Sequence, residues 1–266
     1  MRRTLPLVAG LAALALTACG SSSGATTTSG SPASSSSSSS SAATGAITVF
    51  AASSLKESFS AIGAAFEAAN PGTKVTFNFG ASSTLATQIT QKAPADVFAS
   101  ASQKTMDTVT SAGAATGDTE FAVNTMEIAT PATPTVPVTS LADLAKPGVK
   151  VVICQKDVPC GAAAQKLFTQ NNLTVTPVSQ EVDVKAVLSK VVLGEADAGI
   201  VYVTDVKAAG AKVAGVVIPK DQNVTTTYPI APIASSTNAV TAKAFVDFVL
   251  SPAGQTVLAA AGFTSP

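Results

Sequence analysis

Short apolar runs typical of buried strands alternate with helical patterns through almost all of residues 46–266. Ala46–Ala51 has the composition of a buried strand, and Leu55, Phe59, Ile62 and Phe66 then recur at the spacing of one helix face. Repeated strand–helix units favour parallel sheets with helices packed on both faces. The sequence therefore predicts an α/β fold with mixed, mostly parallel sheets.

The same patterns predict the remaining elements of the folded part. In such sheets the carboxyl ends of the parallel strands meet at one edge, where ligands bind. Further strands are predicted at Lys74–Phe79, Asp96–Ala99, Phe121–Ala129, Val149–Ile153, Ala198–Val203, Val213–Ile218 and Thr227–Ile233. Further helices are predicted at Leu85–Gln91, Ser102–Ser111, Gly161–Gln170 and Val184–Leu193, around Phe245, and at the end of the chain, where Ser251-Pro252 opens a final helix.

The first 18 residues have the pattern of a secretory signal peptide. Arg2 and Arg3 precede an apolar run, Leu5–Leu16, that is too short to span a membrane. The run ends in Leu16-Thr17-Ala18-Cys19, which resembles a bacterial lipobox. That resemblance implies cleavage before Cys19 and lipid attachment to its thiol. The alternative is an ordinary signal peptide with an incidental cysteine.

Residues 19–45 form a segment rich in Ser, Thr, Gly and Ala, with consecutive serines at 34–41. Such a segment buries too little apolar surface to order itself, so we expect a flexible, lipid-anchored linker. The chain has a formal net charge of zero and no histidine. Nucleic acid is therefore an unexpected partner, because its binding needs clustered Lys and Arg.

The chain has two cysteines in addition to Cys19, namely Cys154 and Cys160. Outside the cytoplasm such a pair favours a disulfide, with two free thiols as the alternative. A zinc site is less favoured, because the chain has no histidine and no second cysteine pair. A nucleophilic Cys160 would need a base, usually histidine, to stabilise its thiolate.

Two serine-bearing turns follow predicted strands and open predicted helices. Ser54 lies in the first turn, and Ser82 and Ser83 lie in the second. A helix N-terminus offers unpaired backbone N–H groups, so these turns predict a site that holds an anion with neutral donors. The alternative is helix capping alone, with Ser54 and Glu57 forming a capping box.

Three later segments offer further neutral donors at predicted strand or helix ends. Lys156–Ala162 leads from a strand into a helix and would present the N–H of Cys160. The N–H of Val184 opens another helix, and Tyr202 ends a strand with a phenol donor. For Tyr202 the alternative is a half-buried aromatic side chain whose hydroxyl bonds to the backbone.

These motifs, in this order, resemble the periplasmic molybdate-binding proteins of bacterial ABC transporters. The resemblance covers nearly the whole folded part, although the position of Cys160 is commonly alanine in that family. The segments that carry it are Ile47–Leu55, Ala81–Ala86, Ala93–Phe98, Asp157–Gly161, Val182–Val184, Gly199–Tyr202 and Ala244–Phe263.

The resemblance implies a two-lobed, class II periplasmic-binding-protein fold. Residues 46–126 and 231–266 would form lobe I and residues 127–230 lobe II, with hinge crossovers near Thr125–Ala129 and Tyr228–Ile233. It implies a tetrahedral oxyanion held between the lobes, with no cofactor and no metal other than that of the oxyanion. The implied ligand residues are the hydroxyls of Ser54, Ser82 and Tyr202 and the N–H groups of Cys160, Val184 and Ser83.

The expected function is that of a monomeric lipoprotein that captures molybdate, and tungstate, for an ABC permease outside the cytoplasm. One alternative is the same scaffold with sulfate, thiosulfate or a metal ion. A secreted hydrolase using Ser54 or Ser82 is a second alternative, although no Gly-x-Ser-x-Gly elbow surrounds either serine. A surface adhesion or structural lipoprotein is the third.

Overall fold

A nine-stranded sheet organises the computed structural model, which describes residues 43–266. The strands pair in the order β2-β1-β3-β9-β4-β7-β5-β6, and β8 pairs with β4 beside this path. The strands are β1 Gly45–Ala52, β2 Thr73–Gly80, β3 Val97–Ala99, β4 Thr119–Pro131, β5 Val151–Cys154, β6 Ser179–Glu181, β7 Ala198–Tyr202, β8 Val213–Val217 and β9 Thr225–Pro232.

Helices connect most of these strands, so the predicted α/β fold is confirmed. The helices are α1 Lys56–Ala69, α2 Ser82–Thr90, α3 Gln103–Ser111, α4 Pro159–Gln170, α5 Val184–Val192, α6 Val203–Ala209, α7 Ala239–Leu250 and α8 Pro252–Ala261. Each strand predicted from the sequence is present, whereas β6 and α6 were not predicted.

The sheet is mixed rather than mostly parallel, because β4 and β9 run antiparallel to all of their neighbours. β1 is parallel to β2 and β3, and β5 is parallel to β6 and β7. β4 is antiparallel to β9 over residues 119–125, and then to β7 and β8 over residues 126–131. One continuous strand therefore joins the two groups of parallel strands.

The buried apolar side chains fall into three clusters. One cluster, apart from Ala81, draws on residues 126–224 and includes Ile128, Leu167 and Ile200. The other two draw on residues before 123 and after 227. The division into lobe I, 46–126 with 231–266, and lobe II, 127–230, stays a prediction. The boundary at 126/127 falls inside β4 and the boundary at 230/231 falls inside β9.

The predicted signal peptide at 1–18, the lipidation site Cys19 and nearly all of the linker at 19–45 lie outside the described residues. The linker prediction is one residue too long, since Gly45 already begins β1. Among the described residues no single helix is long and apolar enough to cross a membrane. Helices α7 and α8 pass that test only as a pair, with a bend of 59° between them.

Candidate functional site

A small cavity lies where strand ends and helix N-termini converge. The ends of β1, β2 and β7 and the first residues of α2, α4 and α5 contribute to its wall. Five of the six predicted ligand residues line it: Ser54, Ser82, Cys160, Val184 and Tyr202. The sixth, Ser83, lines a neighbouring cleft that shares Val158 and Pro159 with the cavity.

Ser82 is the first residue of α2 and is 1% exposed. Its Oγ accepts a hydrogen bond from the backbone N–H of Ala101 at 3.0 Å. Because that contact uses the oxygen as an acceptor, the hydroxyl proton stays available to an acceptor in the cavity. Ser82 is therefore placed as a neutral donor, and its side chain does not cap the helix that it begins.

Ser54 lies in a 3-10 turn, Ser53–Leu55, between β1 and α1. Its Oγ is 3.0 Å from the hydroxyl of Tyr228 on β9, and either oxygen can donate. When Tyr228 donates, the Ser54 proton is free for the cavity. The capping alternative is wrong, since Ser54 bonds to Tyr228 while the side chain of Glu57 pairs with Lys185.

Sequence reasoning did not assign a role to Tyr228. This residue is fully buried and lies 174 positions from Ser54, so only the pairing of β9 within the sheet brings the two hydroxyls together. Burial raises the pKa of Tyr228 well above its usual value, which keeps the phenol protonated. A protonated Tyr228 can hold the orientation of Ser54 from behind the cavity wall.

Tyr202 ends β7, and its ring is 1% exposed. Within residues 43–266 its hydroxyl makes no hydrogen bond of good geometry, although the hydroxyls of Tyr228 and Thr226 lie near it. The side chain is fully buried, not half-buried as the alternative supposed. Burial, and then the nearby carboxylate of Asp205, raise the pKa of Tyr202 and keep it a neutral donor. A buried hydroxyl without a partner is costly, and such a group is expected where a ligand completes the bonding.

The structure joins Cys154 and Cys160 in a disulfide whose Cα atoms are 5.7 Å apart. The bridge spans the turn between β5 and α4, and Cys160 is the second residue of α4. Its N–H belongs to the first helical turn, where backbone donors have no acceptor within the helix. Gly161 is required by close approach, because an added Cβ would lie 1.9 Å from the carbonyl oxygen of Gln155.

Val184 is the first residue of α5, so its N–H is also free of an acceptor within the helix. The preceding residue, Asp183, caps this helix: its Oδ1 accepts from the N–H of Ala186 at 3.0 Å. Asp183 is the sole charged residue in the described lining of the cavity. Because its carboxylate is engaged at the helix end, the cavity presents mainly neutral donors.

An ion triad of Glu57, Lys185 and Asp205 lies beside the cavity and was not predicted from the sequence. The Nζ of Lys185 is 2.7 Å from Oε2 of Glu57 and 2.9 Å from Oδ1 of Asp205. The other oxygen of Asp205 accepts from the N–H of Tyr202 at 3.1 Å. The sequence offered no indication of it, because Glu57 and Lys185 are 128 positions apart.

Burial and pairing set the charge states of this triad. Asp205 is fully buried, and desolvation raises its pKa to about 6 despite the attraction of Lys185. Burial lowers the pKa of Lys185, but Asp205 and Glu57 raise it by more, so the net shift is upward. Lys185 therefore stays cationic, and its charge offsets the two carboxylates near the cavity.

Within residues 43–266 no group of three or more His, Cys, Asp or Glu side chains could hold a metal ion. The neutral donors instead suit an anion, which is the kind of ligand that the sequence predicted. The sequence model of the bacterial extracellular solute-binding protein family matches residues 47–264. The chain belongs to this family.

Two relatives extend the match. The molybdate-binding protein ModA of Mycobacterium tuberculosis strain H37Rv is 43% identical over 98% of this chain and 97% of the relative. The molybdate-binding protein ModA of Escherichia coli strain K12 is 35% identical over 83% of this chain and 89% of the relative. Both alignments cover most of this member of the solute-binding family.

A solved structure confirms the periplasmic-binding-protein fold of this solute-binding protein. The Azotobacter vinelandii periplasmic molybdate-binding protein superimposes with a TM-score of 0.74 at 21% identity, covering 83% of this chain and 99% of that chain. The sulfate-binding protein SubI of Mycobacterium tuberculosis superimposes with a TM-score of 0.72 at 22% identity, covering 83% of this chain and 86% of that chain. At these identities the likeness concerns the fold alone.

Proposed function

We propose that this protein captures molybdate outside the cytoplasm and delivers it to an ABC permease. The observation that carries the proposal is the unpartnered, buried hydroxyl of Tyr202 in a cavity that the predicted donors Ser54 and Ser82 also line. The relative of 43% identity is itself a molybdate-binding protein, which supports the same ligand.

The chemistry of the cavity favours a fully deprotonated tetrahedral anion. Hydroxyl and N–H donors stabilise the anion without a salt bridge, and each hydrogen bond to a charged ligand contributes roughly 1.5–3 kcal/mol. A protonated anion such as hydrogen phosphate also needs an acceptor, and the one carboxylate in the described lining, Asp183, already accepts from the N–H of Ala186 at the helix end. Molybdate meets this requirement near neutral pH.

Tungstate has the same charge and shape as molybdate and nearly the same size, so it belongs to the proposed ligand class. Sulfate has the same charge but is smaller, and its oxygens reach a fixed set of donors less well. Thiosulfate is the other alternative on this scaffold. The sulfate-binding structural neighbour shares the fold, and at 22% identity it carries no assignment of ligand.

The setting of the protein follows from the same proposal. A lipid on Cys19 and the serine-rich segment at 19–45 would tether a monomeric binding domain outside the membrane, within reach of the permease. No cofactor is proposed, because the ligand needs donors alone. An enzymatic role is not proposed either: the sequence has no histidine to act as a base for Ser54 or Ser82.

Calorimetric titration of the anion-stripped protein tests this function. We expect one molybdate or tungstate per chain, with sulfate, thiosulfate and phosphate far weaker. Ser82→Ala removes one donor and should weaken molybdate binding by roughly ten- to one-hundredfold. The control is Ser83→Ala, which changes the next residue of the same helix, keeps its backbone N–H and should bind as the wild type does.

The titration contradicts the proposal if molybdate produces no heat and no shift in melting temperature. Tighter binding of sulfate or thiosulfate than of molybdate would assign the scaffold to those anions instead. Equal affinity of Ser82→Ala and wild type for molybdate would show that the donor set is wrong while leaving the ligand in place.

A further inference from the structure

The ion triad links parts of the fold that have separate hydrophobic cores. Glu57 lies in the first turn of α1, whose buried side chains Phe59 and Ile62 belong to one core cluster. Lys185 lies on α5, whose buried side chains belong to the cluster drawn from residues 126–224. The Glu57–Lys185 contact of 2.7 Å therefore ties one packed unit to the other.

Each member of the triad is close in sequence to a donor of the cavity. Lys185 directly follows Val184, Glu57 is three residues after Ser54, and Asp205 is three residues after Tyr202. Asp205 is also bonded to the backbone N–H of Tyr202 at 3.1 Å. A movement that separates Glu57 from Lys185 would therefore also move the donors on either side of the cavity apart.

The three side chains differ in burial, and this decides which contact of the triad can break. Asp205 is 0% exposed and needs Lys185, because a buried carboxylate without a partner is strongly destabilising. The side chain of Glu57 is 50% exposed and can be hydrated when it leaves Lys185. The Lys185–Asp205 pair is thus a fixed part of one unit, and Glu57 is the removable contact from the other.

From these contacts we propose that the ion triad is a latch: Glu57 binds the Lys185–Asp205 pair when the cavity is closed and so slows release of the bound oxyanion. The proposal rests on the function proposed above and adds Glu57 and Lys185 as positioning residues. They do not touch the anion, and they act through the placement of Ser54, Val184 and Tyr202.

The direction of the change in molybdate affinity distinguishes loss of a latch from a purely electrostatic effect of removing Glu57. Removing the negative charge of Glu57 reduces long-range repulsion of a dianion and by itself would tighten binding. Loss of a latch would weaken binding instead. Glu57→Gln leaves the buried Lys185–Asp205 pair intact, so the variant is expected to fold.

The experiment compares molybdate dissociation from wild type, Glu57→Gln and a matched control, Glu195→Gln. Glu195 is 53% exposed and is 3.1 Å from Lys190, so the control removes the same charge and an exposed ion pair within one unit. Glu57→Gln should raise the dissociation rate and the Kd about fivefold, and the control should stay within about twofold of wild type. Unchanged or tighter binding by Glu57→Gln overturns the latch.

A double-mutant cycle with Lys185 separates the latch from a general structural role. In the Lys185→Arg background, which keeps the charge, Glu57→Gln should still weaken binding. In a Lys185→Met, Asp205→Asn background, which removes the buried charges together, Glu57→Gln should no longer weaken it. An equal effect of Glu57→Gln in both backgrounds contradicts the proposal. Absence of molybdate binding by the wild type would instead refute the proposed function, and the latch with it.

Discussion

At the scale of single residues, the proposed site depends on three buried hydroxyl groups, those of Ser54, Ser82 and Tyr202. Ser82 accepts from Ala101, and Ser54 is paired with Tyr228. Tyr202 is different, because its buried hydroxyl has no partner in the described part of the chain. The unpaired hydroxyl destabilises the ligand-free protein, and a bound ligand that accepts a hydrogen bond from it removes that penalty.

Tyr202→Phe should therefore separate stability from binding. The substitution removes an unsatisfied buried hydroxyl, so the ligand-free protein should be as stable as the wild type or more stable. Molybdate affinity should fall by roughly ten- to one-hundredfold, because one donor to a charged ligand is lost. Chemical denaturation without ligand and calorimetric titration measure the two effects.

The control for this prediction is Tyr228→Phe, which removes a hydroxyl that does have a partner in Ser54. This variant should lose stability in the ligand-free state. A ligand-free Tyr202→Phe protein that is less stable than wild type would show that the Tyr202 hydroxyl is satisfied in the empty protein.

The raised pKa of Asp205 predicts how the stability of the protein changes with pH. Its folded pKa of about 6 lies above the ordinary value of 3.8, so the folded state binds the proton more tightly than the unfolded state does. Its contribution to stability is complete below about pH 4 and is lost as the pH rises through about 6. That loss is on the order of 3 kcal/mol.

Denaturation of wild type and Asp205→Asn between pH 4 and pH 7 measures this effect. The stability of wild type relative to the variant should fall across that range. Asp143, whose pKa is held low by Lys146, acts with the opposite sign in both proteins and cancels in the difference. A difference that is constant with pH, or that grows as pH rises, contradicts the assignment.

The sequence predicted the positions of the candidate donors better than it predicted the groups that hold them. Ser54, Ser82 and Tyr202 follow strand-like runs, and local pattern is enough to place them at strand ends. Tyr228 and the ion triad depend on contacts between residues 128 or 174 positions apart. Single-sequence patterns contain no information about such pairs.

At the scale of elements, the turn between β5 and α4 supplies its donor through the backbone. The Cys154–Cys160 disulfide closes this turn over a separation of six residues. In the chain-entropy estimate a loop of that length gains about 2 kcal/mol of stability. The donor itself is the N–H of residue 160, which any side chain other than proline preserves.

The Cys154→Ala, Cys160→Ala variant should therefore lose about 2 kcal/mol of unfolding free energy and keep molybdate affinity within a few-fold of wild type. A reducing agent should lower the melting temperature of wild type and leave that of the variant unchanged. A large loss of affinity in the variant would mean that the bridge, rather than the helix start, positions the N–H.

Among the elements, β6 and α6 were missed for local reasons. β6 has three residues, Ser179–Glu181, and too short a pattern to recognise. The apolar run predicted as a strand, Ala198–Val203, continues into the first residue of α6. Hydrophobic periodicity therefore did not mark the change from strand to helix at Val203. The antiparallel pairing of β4 and β9 was also beyond local pattern, because the direction of a strand depends on its long-range partner.

At the scale of the whole molecule, separate cores meet at a cavity lined from both sides. Ser54 comes from the part that packs around Phe59 and Phe121, and Ser82 begins α2, whose buried side chains pack around Phe98. Val184 and Tyr202 come from the part that packs around Ile200. β4 and β9 run between these parts. An anion held by donors from both would favour the closed arrangement, which a permease can recognise.

The most direct measurement is an anomalous difference map from crystals grown with molybdate and collected above the molybdenum absorption edge. We expect one strong peak per chain at the centre of the cavity, with oxygen atoms within hydrogen-bond distance of Ser54 Oγ, Ser82 Oγ and the Tyr202 hydroxyl. A peak at any other position, or an empty cavity in crystals of protein that binds molybdate, would contradict it.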